Sequence, residues 1–244
     1  CALPILQGLL TLLCGGVVGF SLGLIGGGGS VLAVPLLLYV VGVRNPHVAI
    51  GTSALAVALN AFANLAQHAR ARTVKWPCAG TFAAAGIIGA VIGSTIGKIV
   101  NGERLLALFA LVMIAVGVSM LRGRTAEGDP SVRMSAKMAP RLIGAGLGAG
   151  LLSGFFGIGG GFLIVPGLIV SSGMPILNAV GSSLLSVGTF GIATAANYAL
   201  SGLVDWKIAF LFIAGGVGGG TIGMRLAVRL ASRRGALVRV FAVV

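Results

Sequence analysis

Acidic residues are almost missing from this chain. Asp and Glu together number 4 of 244 residues, and charged residues of both signs make up only 9%. Soluble domains carry about a quarter charged residues, so the chain falls outside that class. Glu103, Glu127, Asp129 and Asp205 all lie outside the apolar runs, which removes paired-carboxylate catalysis and the acidic proton relay from consideration. Cysteine is scarce too. Cys1, Cys14 and Cys78 share no close spacing and form no CxxC, so there is neither a disulfide framework nor a thiolate metal site. Cys14 and Cys78 read as small apolar fillers. The two histidines form no ligand pattern: His47 sits in a connecting turn, and His68, beside Arg70 at a helix end, is expected at the interface. Nothing calls for a metal or a cofactor.

What the chain has instead is apolar length. Hydrophobic residues make up 57% and the mean hydropathy is +1.09. Runs 5–25, 47–66, 77–97 and 104–121 are long enough, at about 1.5 Å per residue, to cross or nearly cross a hydrocarbon layer of about 30 Å. This is the composition of an all-α polytopic membrane protein. The 42 glycines are scattered among apolar residues, which excludes a collagenous or disordered chain and suits close helix contacts in lipid. A formal charge of +13 would suggest nucleic acid in a soluble protein. Here Lys and Arg flank the spans, as the positive-inside rule requires, and no nucleic-acid partner is expected. No cleavable signal is evident and the first run reads as a permanent span.

The chain repeats itself. A shift of about 131 residues lays Gly19, Gly23, Gly26, Gly28 and Pro35 on Gly150, Gly154, Gly157, Gly159 and Pro166. After a one-residue slip, Gly51-Thr52-Ser53 matches Gly181-Ser182-Ser183, Trp76 matches Trp206, and Gly86, Gly89 and Gly93 match Gly216, Gly219 and Gly223. Internal repetition of this kind divides the chain into a first membrane repeat at 1–121, a hydrophilic joint at 122–140 and a second membrane repeat at 141–244, cut short at its C-terminal end. Each repeat reads as a glycine-broken helical hairpin followed by about three spans: 5–25, 30–43, 47–68, 76–98 and 104–121, then 141–157, 161–173, 177–200, 206–225 and a last helix from about 235. Gly89, Gly93 and Gly97, like Gly215, Gly219 and Gly223, make small-residue faces for tight helix packing.

Charge sets the orientation. Loop 69–75 carries Arg70, Arg72 and Lys75, whereas its partner 201–207 is balanced by Asp205. Loop 98–104 is nearly balanced, whereas 225–234 carries four arginines. Loops 69–75, 122–141 and 225–234 are therefore expected on the cytoplasmic side, with Arg44 alone on the wrong side. Corresponding loops of the two repeats then lie on opposite sides, the pattern of inverted-topology repeats.

The glycine breaks are the candidate site. A P-loop needs a lysine after its glycines, and Val31 and Phe162 stand there. GAGLGA at 144–149 fits a dinucleotide fingerprint only formally, because it lies inside a span with no preceding strand. A solvated linker is excluded as well, since broken backbone at membrane depth is tolerated only within protein or beside a watery cavity. A short helix opening at each break points free N–H groups and the positive end of its dipole at a ligand, which suits an anion. Two such breaks from two inverted repeats meet near the midplane.

The stretches GFSLGLIGGGGSVLAVP and SGFFGIGGGFLIVP, each followed by a G-[ST]-S element, resemble the duplicated signature of the sulfite exporter TauE/SafE family of membrane permeases. The resemblance covers nearly the whole chain. It implies transport of a small sulfur-containing anion, such as sulfite, thiosulfate, sulfoacetate or another organosulfonate, across a bacterial inner membrane. The two copies differ at Gly27, where the second has Ile158, and at Ser30, where it has Gly161.

The expected substrate site therefore comprises Gly26, Gly27, Gly28, Gly29 and Ser30 of the first break with Gly157, Gly159, Gly160 and Gly161 of the second. Thr52, Ser53, Ser182 and Ser183 join it as hydroxyls that either cap their helices or donate to a ligand. Asn60 and Asn64 share a helical face with Gln67, and Thr194 and Asn197 stand where the second repeat matches Asn64 and Gln67. Lys98 and Arg225 end helices, where snorkelling accounts for them. The expected mechanism is alternating access by two rocking halves. The alternatives are an anion channel, or a membrane-embedded enzyme or assembly subunit; the latter is disfavoured by the lack of intramembrane His, Cys or carboxylate clusters.

Overall fold

The computed structural model describes residues 2–122, 134–135, 138–157 and 161–231, all helices and turns with no strand among them. Most of the joint, the second tip at 158–160 and the expected last helix from about 235 lie outside the described residues.

The spans form where the apolar runs stand: α1 (Ala2–Ile25), α3 (Pro46–Arg70), α4 (Trp76–Ile99), α5 (Gly102–Arg122), α6 (Ala139–Phe156), α8 (Ile176–Ala199) and α9 (Trp206–Ala231). Six of these, all but α5, are long and apolar enough to cross a membrane. Local sequence sets their starts. Pro46 needs no N–H partner at the first position of α3, and the Asn45 side chain accepts from the His47 N–H at 2.9 Å as the N-cap.

The first return segment departs from the expected helix over 30–43. Gly26, at φ +71°, ends α1, and the chain winds at once into a 3-10 helix (Gly26–Leu32), a single turn α2 (Ala33–Pro35) and a π-helical turn (Leu36–Val40). Four glycines permit the tight winding, and Pro35, which has no N–H, interrupts the regular ladder. The second return segment is a regular helix, α7 (Gly161–Ser172), with Pro166 inside it. Both copies turn at matched left-handed glycines, Gly26 with Gly157 (φ +68°) and Gly42 (φ +81°) with Gly173 (φ +69°), where a side chain would be strained.

Contacts give the helix directions. Gln7 Nε2 donates to the Val41 carbonyl at 3.1 Å, and His68 Nε2 lies 3.4 Å from the Gly23 carbonyl. The hairpin therefore returns to the start of α1, and α3 runs parallel to α1. Gly15, Gly19 and Gly23 of α1 meet Phe212, Gly216 and Gly220 of α9 in rising order, so those two helices are also parallel. In the other half Gly146, Gly150 and Gly154 of α6 meet Phe82, Gly86 and Ala90 of α4 in the same way. A Cβ on any of these six glycines would strike the opposing backbone. Matched helices α3 and α8 cross antiparallel, with Phe62 against Gly188 and Ala58 against Gly191.

The packing is exchanged between repeats. Helix α1 binds most extensively to α9 and α6 to α4, while α3 and α8 pair at the centre. Leu22, Leu37, Phe82, Ile164, Phe190 and Phe212 fill the core. Apolar side chains such as Leu111 and Ile114 of α5 and Ile88 of α4 face outward, as a lipid-facing surface requires.

Candidate functional site

The two tips touch. A Cβ on Gly27 would press on the Gly161 backbone and on Val187, and a Cβ on Gly161 would run into the Gly27 carbonyl. The Gly27 N–H donates to Ser183 Oγ at 3.1 Å, and Ser183 Oγ–H donates to the Val180 carbonyl at 2.8 Å. Ser53, the matched hydroxyl, donates to the Ile50 carbonyl at 2.9 Å. The first break also folds on itself, with Ser30 Oγ donating to the Gly27 carbonyl at 2.8 Å. Gly26 packs against Val180 and Ser183, and Gly157 against Ile50, so each tip seats on the helix of the other repeat. Gly159 and Gly160 fall outside the described residues.

Thr52 and Ser182 cap helices, but not their own. Thr52 Oγ1 accepts from the Asp205 N–H at the start of α9, and Ser182 Oγ accepts from the Lys75 N–H at the start of α4, both at 2.9 Å. These equivalent contacts satisfy helix-start donors that lipid leaves without water.

Two stripes of buried residues continue from the tips, at every fourth position and in matching register. Helix α3 carries Ala56, Asn60, Asn64 and His68, and α8 carries Ser186, Phe190, Thr194 and Tyr198. All eight are 0% exposed. Asn60 lies over Gly216, and Asn64 between Gly220 and Gly23. Both polar atoms of the Asn60 side chain, Asn64 Oδ1, Ser186 Oγ, Thr194 Oγ1, Tyr198 OH and, on α6, Ser153 Oγ have no hydrogen-bond partner among the described residues. Asn64 Nδ2 donates to the Asn60 carbonyl at 2.9 Å, and this fixes which end of the amide is the free acceptor. No Asp, Glu, Lys or Arg is among the buried described residues, so the region is electrically neutral.

The seat of Asn60 in the first repeat is the seat of Phe190 in the second, where the ring lies over Gly86 and stacks with Phe82 at 6.4 Å. The fold can thus close that seat with an apolar side chain. An unpartnered buried amide costs about 1–3 kcal/mol, so the packing does not explain its presence.

Asn197 belongs elsewhere. It stands about 21 Å along α8 from Ser183 at 1.5 Å per residue. Its carbonyl, at 3.1 Å, and its Oδ1, at 2.8 Å, accept from Lys98 Nζ, and its Nδ2 donates to Ser94 and Thr95. Lys98 is thereby tied to α8, and not simply extended toward the interface. His68 departs further from expectation, being completely buried. The sequence reading omits Ser186 and Tyr198 from the site and sets His68 at the interface; their common four-residue spacing with Asn60, Asn64 and Thr194 is the signal that joins them.

The profile of the family described as Sulfite exporter TauE/SafE matches residues 11–244. A "Probable membrane transporter protein" of Xylella fastidiosa (strain 9a5c) is 54% identical, covering 97% of this chain and 91% of its own length. The "Probable membrane transporter protein YunE" of Bacillus subtilis is 27% identical, over 86% of this chain and 84% of its own. A further relative, "Probable membrane transporter protein MJ0441" of Methanocaldococcus jannaschii, is 28% identical over 79% and 71%. No solved structure matches the chain.

Proposed function

The chain belongs to the sulfite exporter TauE/SafE family, and from that premise we propose that it is a secondary permease moving a small sulfur-containing anion across a bacterial inner membrane by alternating access. Sulfite, thiosulfate, sulfoacetate and other organosulfonates are the substrate class. The anion is held beside the touching tips at Gly26–Ser30 and Gly161 by backbone N–H groups and by the unpartnered side-chain amide of Asn60. The Ser53 and Ser183 hydroxyls, whose protons go to the Ile50 and Val180 carbonyls, support the tips. The observation that carries this reading is the set of buried polar atoms left without partners along α3 and α8, the helices on which the two touching tips are seated, with no carboxylate among the buried described residues to repel an anion. Buried polar groups in native proteins are almost always paired, so such a set calls for a ligand or water. Neutral donors also match an anion's charge without holding it too tightly to release.

The repeats are read as inverted in topology, supported by the antiparallel crossing of α3 and α8. The basic segments 69–75, 122–141 and 225–234 are assigned to the cytoplasm on their charge. The last of these reads as a loop in the sequence, but α9 continues through it as far as Ala231. The moving bodies, however, are not the two sequence halves. Rocking them would tear the α1–α9 and α4–α6 seams, where backbones touch through glycine. The exchanged groups α1–α3–α9 and α4–α6–α8 move instead, each held internally by a seam and a hydroxyl cap.

Transport is tested by thiosulfate and sulfite counterflow in proteoliposomes. Saturable counterflow is expected; flux without counterflow would make the protein a channel, and no flux of any sulfur anion would sink the reading. The motion is tested by pulsed electron paramagnetic resonance on a cysteine-free background. Ile5, Ile99 and Leu200 are 75%, 83% and 89% exposed at one end of the bundle. Labels at Ile99 and Leu200, in different halves but one exchanged group, should give a single distance. Labels at Ile5 and Ile99, in one half but different groups, should give two. The opposite pattern would restore rocking halves.

A further inference from the structure

The buried imidazole of His68 has no role in the site described above. It is one of two histidines in the chain, sits in the last turn of α3 with no exposure, and follows Asn60 and Asn64 on the same stripe. An ionisable side chain within a membrane span is expensive to keep there and marks function more often than packing.

Its hydrogen bonds define what it holds. Thr73 Oγ1–H donates to the His68 carbonyl at 3.0 Å, and the same oxygen lies 2.9 Å from His68 Nδ1. The His68 carbonyl also accepts from the Thr73 N–H at 3.1 Å, so the hydroxyl proton either goes to Nδ1 or, with that proton on the carbonyl, Oγ1 accepts from Nδ1–H. On the other side of the ring, Nε2 faces the Gly23 carbonyl at 3.4 Å, and a carbonyl only accepts. Neutral imidazole is satisfied with its N–H on Nε2 and the Thr73 hydroxyl proton on Nδ1; imidazolium is satisfied once that hydroxyl turns to the carbonyl, so the pocket can hold the ring with or without the second proton. The matched seat in the second repeat holds Tyr198, which does not titrate near neutrality. The device is thus present once.

Its surroundings lie between the first tip and one end of the bundle. Gly23 is three residues before Gly26, about 5 Å along the helix, and Asn64 lies against the same Gly23. Thr73 belongs to the turn that leads to the bundle end, where Arg70 and Arg72, and Arg225 on α9, are exposed. Packed directly on the ring are Gly23 of α1, Thr73 of the turn and Gly181 of α8, while Asn178 of α8 donates to the Thr73 carbonyl at 2.9 Å. None of these titrates or carries charge; Arg70, Arg72 and Lys75 are the cations of that helix end and turn.

We propose that His68 binds the proton that couples transport, so that a proton and the sulfur anion are carried together. The inference rests on the permease reading. With no buried carboxylate among the described residues to balance an imidazolium, the anion at the tips is its counter-charge, and each ligand favours binding of the other.

The test uses full-length protein in proteoliposomes with thiosulfate, sulfite and sulfoacetate as probes. An inward acid gradient should drive accumulation by the wild type. His68→Gln, which keeps a hydrogen-bonding side chain, should lose gradient-driven accumulation, and whatever flux it retains should be flat across the neutral pH range. His68→Tyr, copying the matched seat, is the second variant should His68→Gln not insert. Imidazole 15N resonances, assigned in a His47→Gln background, should show His68 gaining its second proton more readily when anion is added. Undiminished gradient-driven accumulation in either variant would overturn the proposal. So would a ring that stays neutral throughout that range with and without anion. If the wild type moves none of the probes the permease reading fails, and the resonances alone then decide whether His68 is a proton site.

Discussion

Replacing Gly161 with alanine should abolish anion counterflow while the protein still inserts as a helical bundle. The added methyl would occupy the position of the Gly27 carbonyl, and its three nearest neighbours are all Gly27 backbone atoms. No rotamer change can relieve such a contact. Overpacking costs about 1–3 kcal/mol when side chains can adjust, and here the upper end applies, which is more than about a hundredfold in the population of touching tips. Gly161 has no left-handed φ, so alanine is acceptable to its own backbone and the whole effect arises at the tip contact. Gly144→Ala, Gly148→Ala and Gly218→Ala are the controls. A Cβ at those positions meets nothing within 4 Å, and alanine should gain up to about 1 kcal/mol of helix propensity. Full counterflow in a monodisperse Gly161→Ala protein would remove the tips from the transport site.

Asn60→Leu should move activity and stability in opposite directions. If the amide bonds the anion, its loss costs about 1.5–3 kcal/mol, or roughly ten- to a hundredfold in transport. In the unliganded protein the same amide is buried with both polar atoms unpartnered. Replacing it with an apolar group of similar shape removes a penalty of about 1–3 kcal/mol, so thermal stability should rise. Phe190, in the matched seat over Gly86, supports the expectation that the bundle tolerates an apolar side chain there. Thermal unfolding in detergent and counterflow in liposomes, measured on one preparation, give the answer. A variant that is less stable yet fully active would make Asn60 a structural residue.

Much of the fold was legible in the residues. Apolar length placed the spans to within a few residues, because in lipid a backbone without water must close its own hydrogen bonds and helices are the available solution. Proline and asparagine set the start of α3, and Gly26 and Gly157 turn the chain where the repeat pattern put its breaks, while the left-handed glycines at 42 and 173 were not singled out. The first return segment was misread as an ordinary helix. Four consecutive glycines do not say whether a chain unwinds or winds more tightly, and the choice was made by contacts with Gly161 and with Ser183.

The candidate site was legible by residue type and not by partnership. Thr52 and Ser182 looked like ligand hydroxyls or caps of their own helices; they are acceptors for helices whose starts are remote in sequence. Asn197 shared a periodic face with Thr194, yet the neighbouring end of α4 supplies Lys98, Ser94 and Thr95 to satisfy it. His68 looked interfacial because it ends a span beside arginines, and it is buried because the following turn folds back and places Thr73 over the ring.

By itself the sequence determined a membrane-spanning helical chain built twice, with its breaks at matched glycines, since hydrophobic length and repetition are local properties of the string. Tertiary structure alone decided which copy each helix joins. The seams pair α1 with α9 and α4 with α6 because glycines spaced four apart on both faces let those backbones meet. That exchange determines which hydroxyls are spent on structure and which buried polar atoms are left without partners.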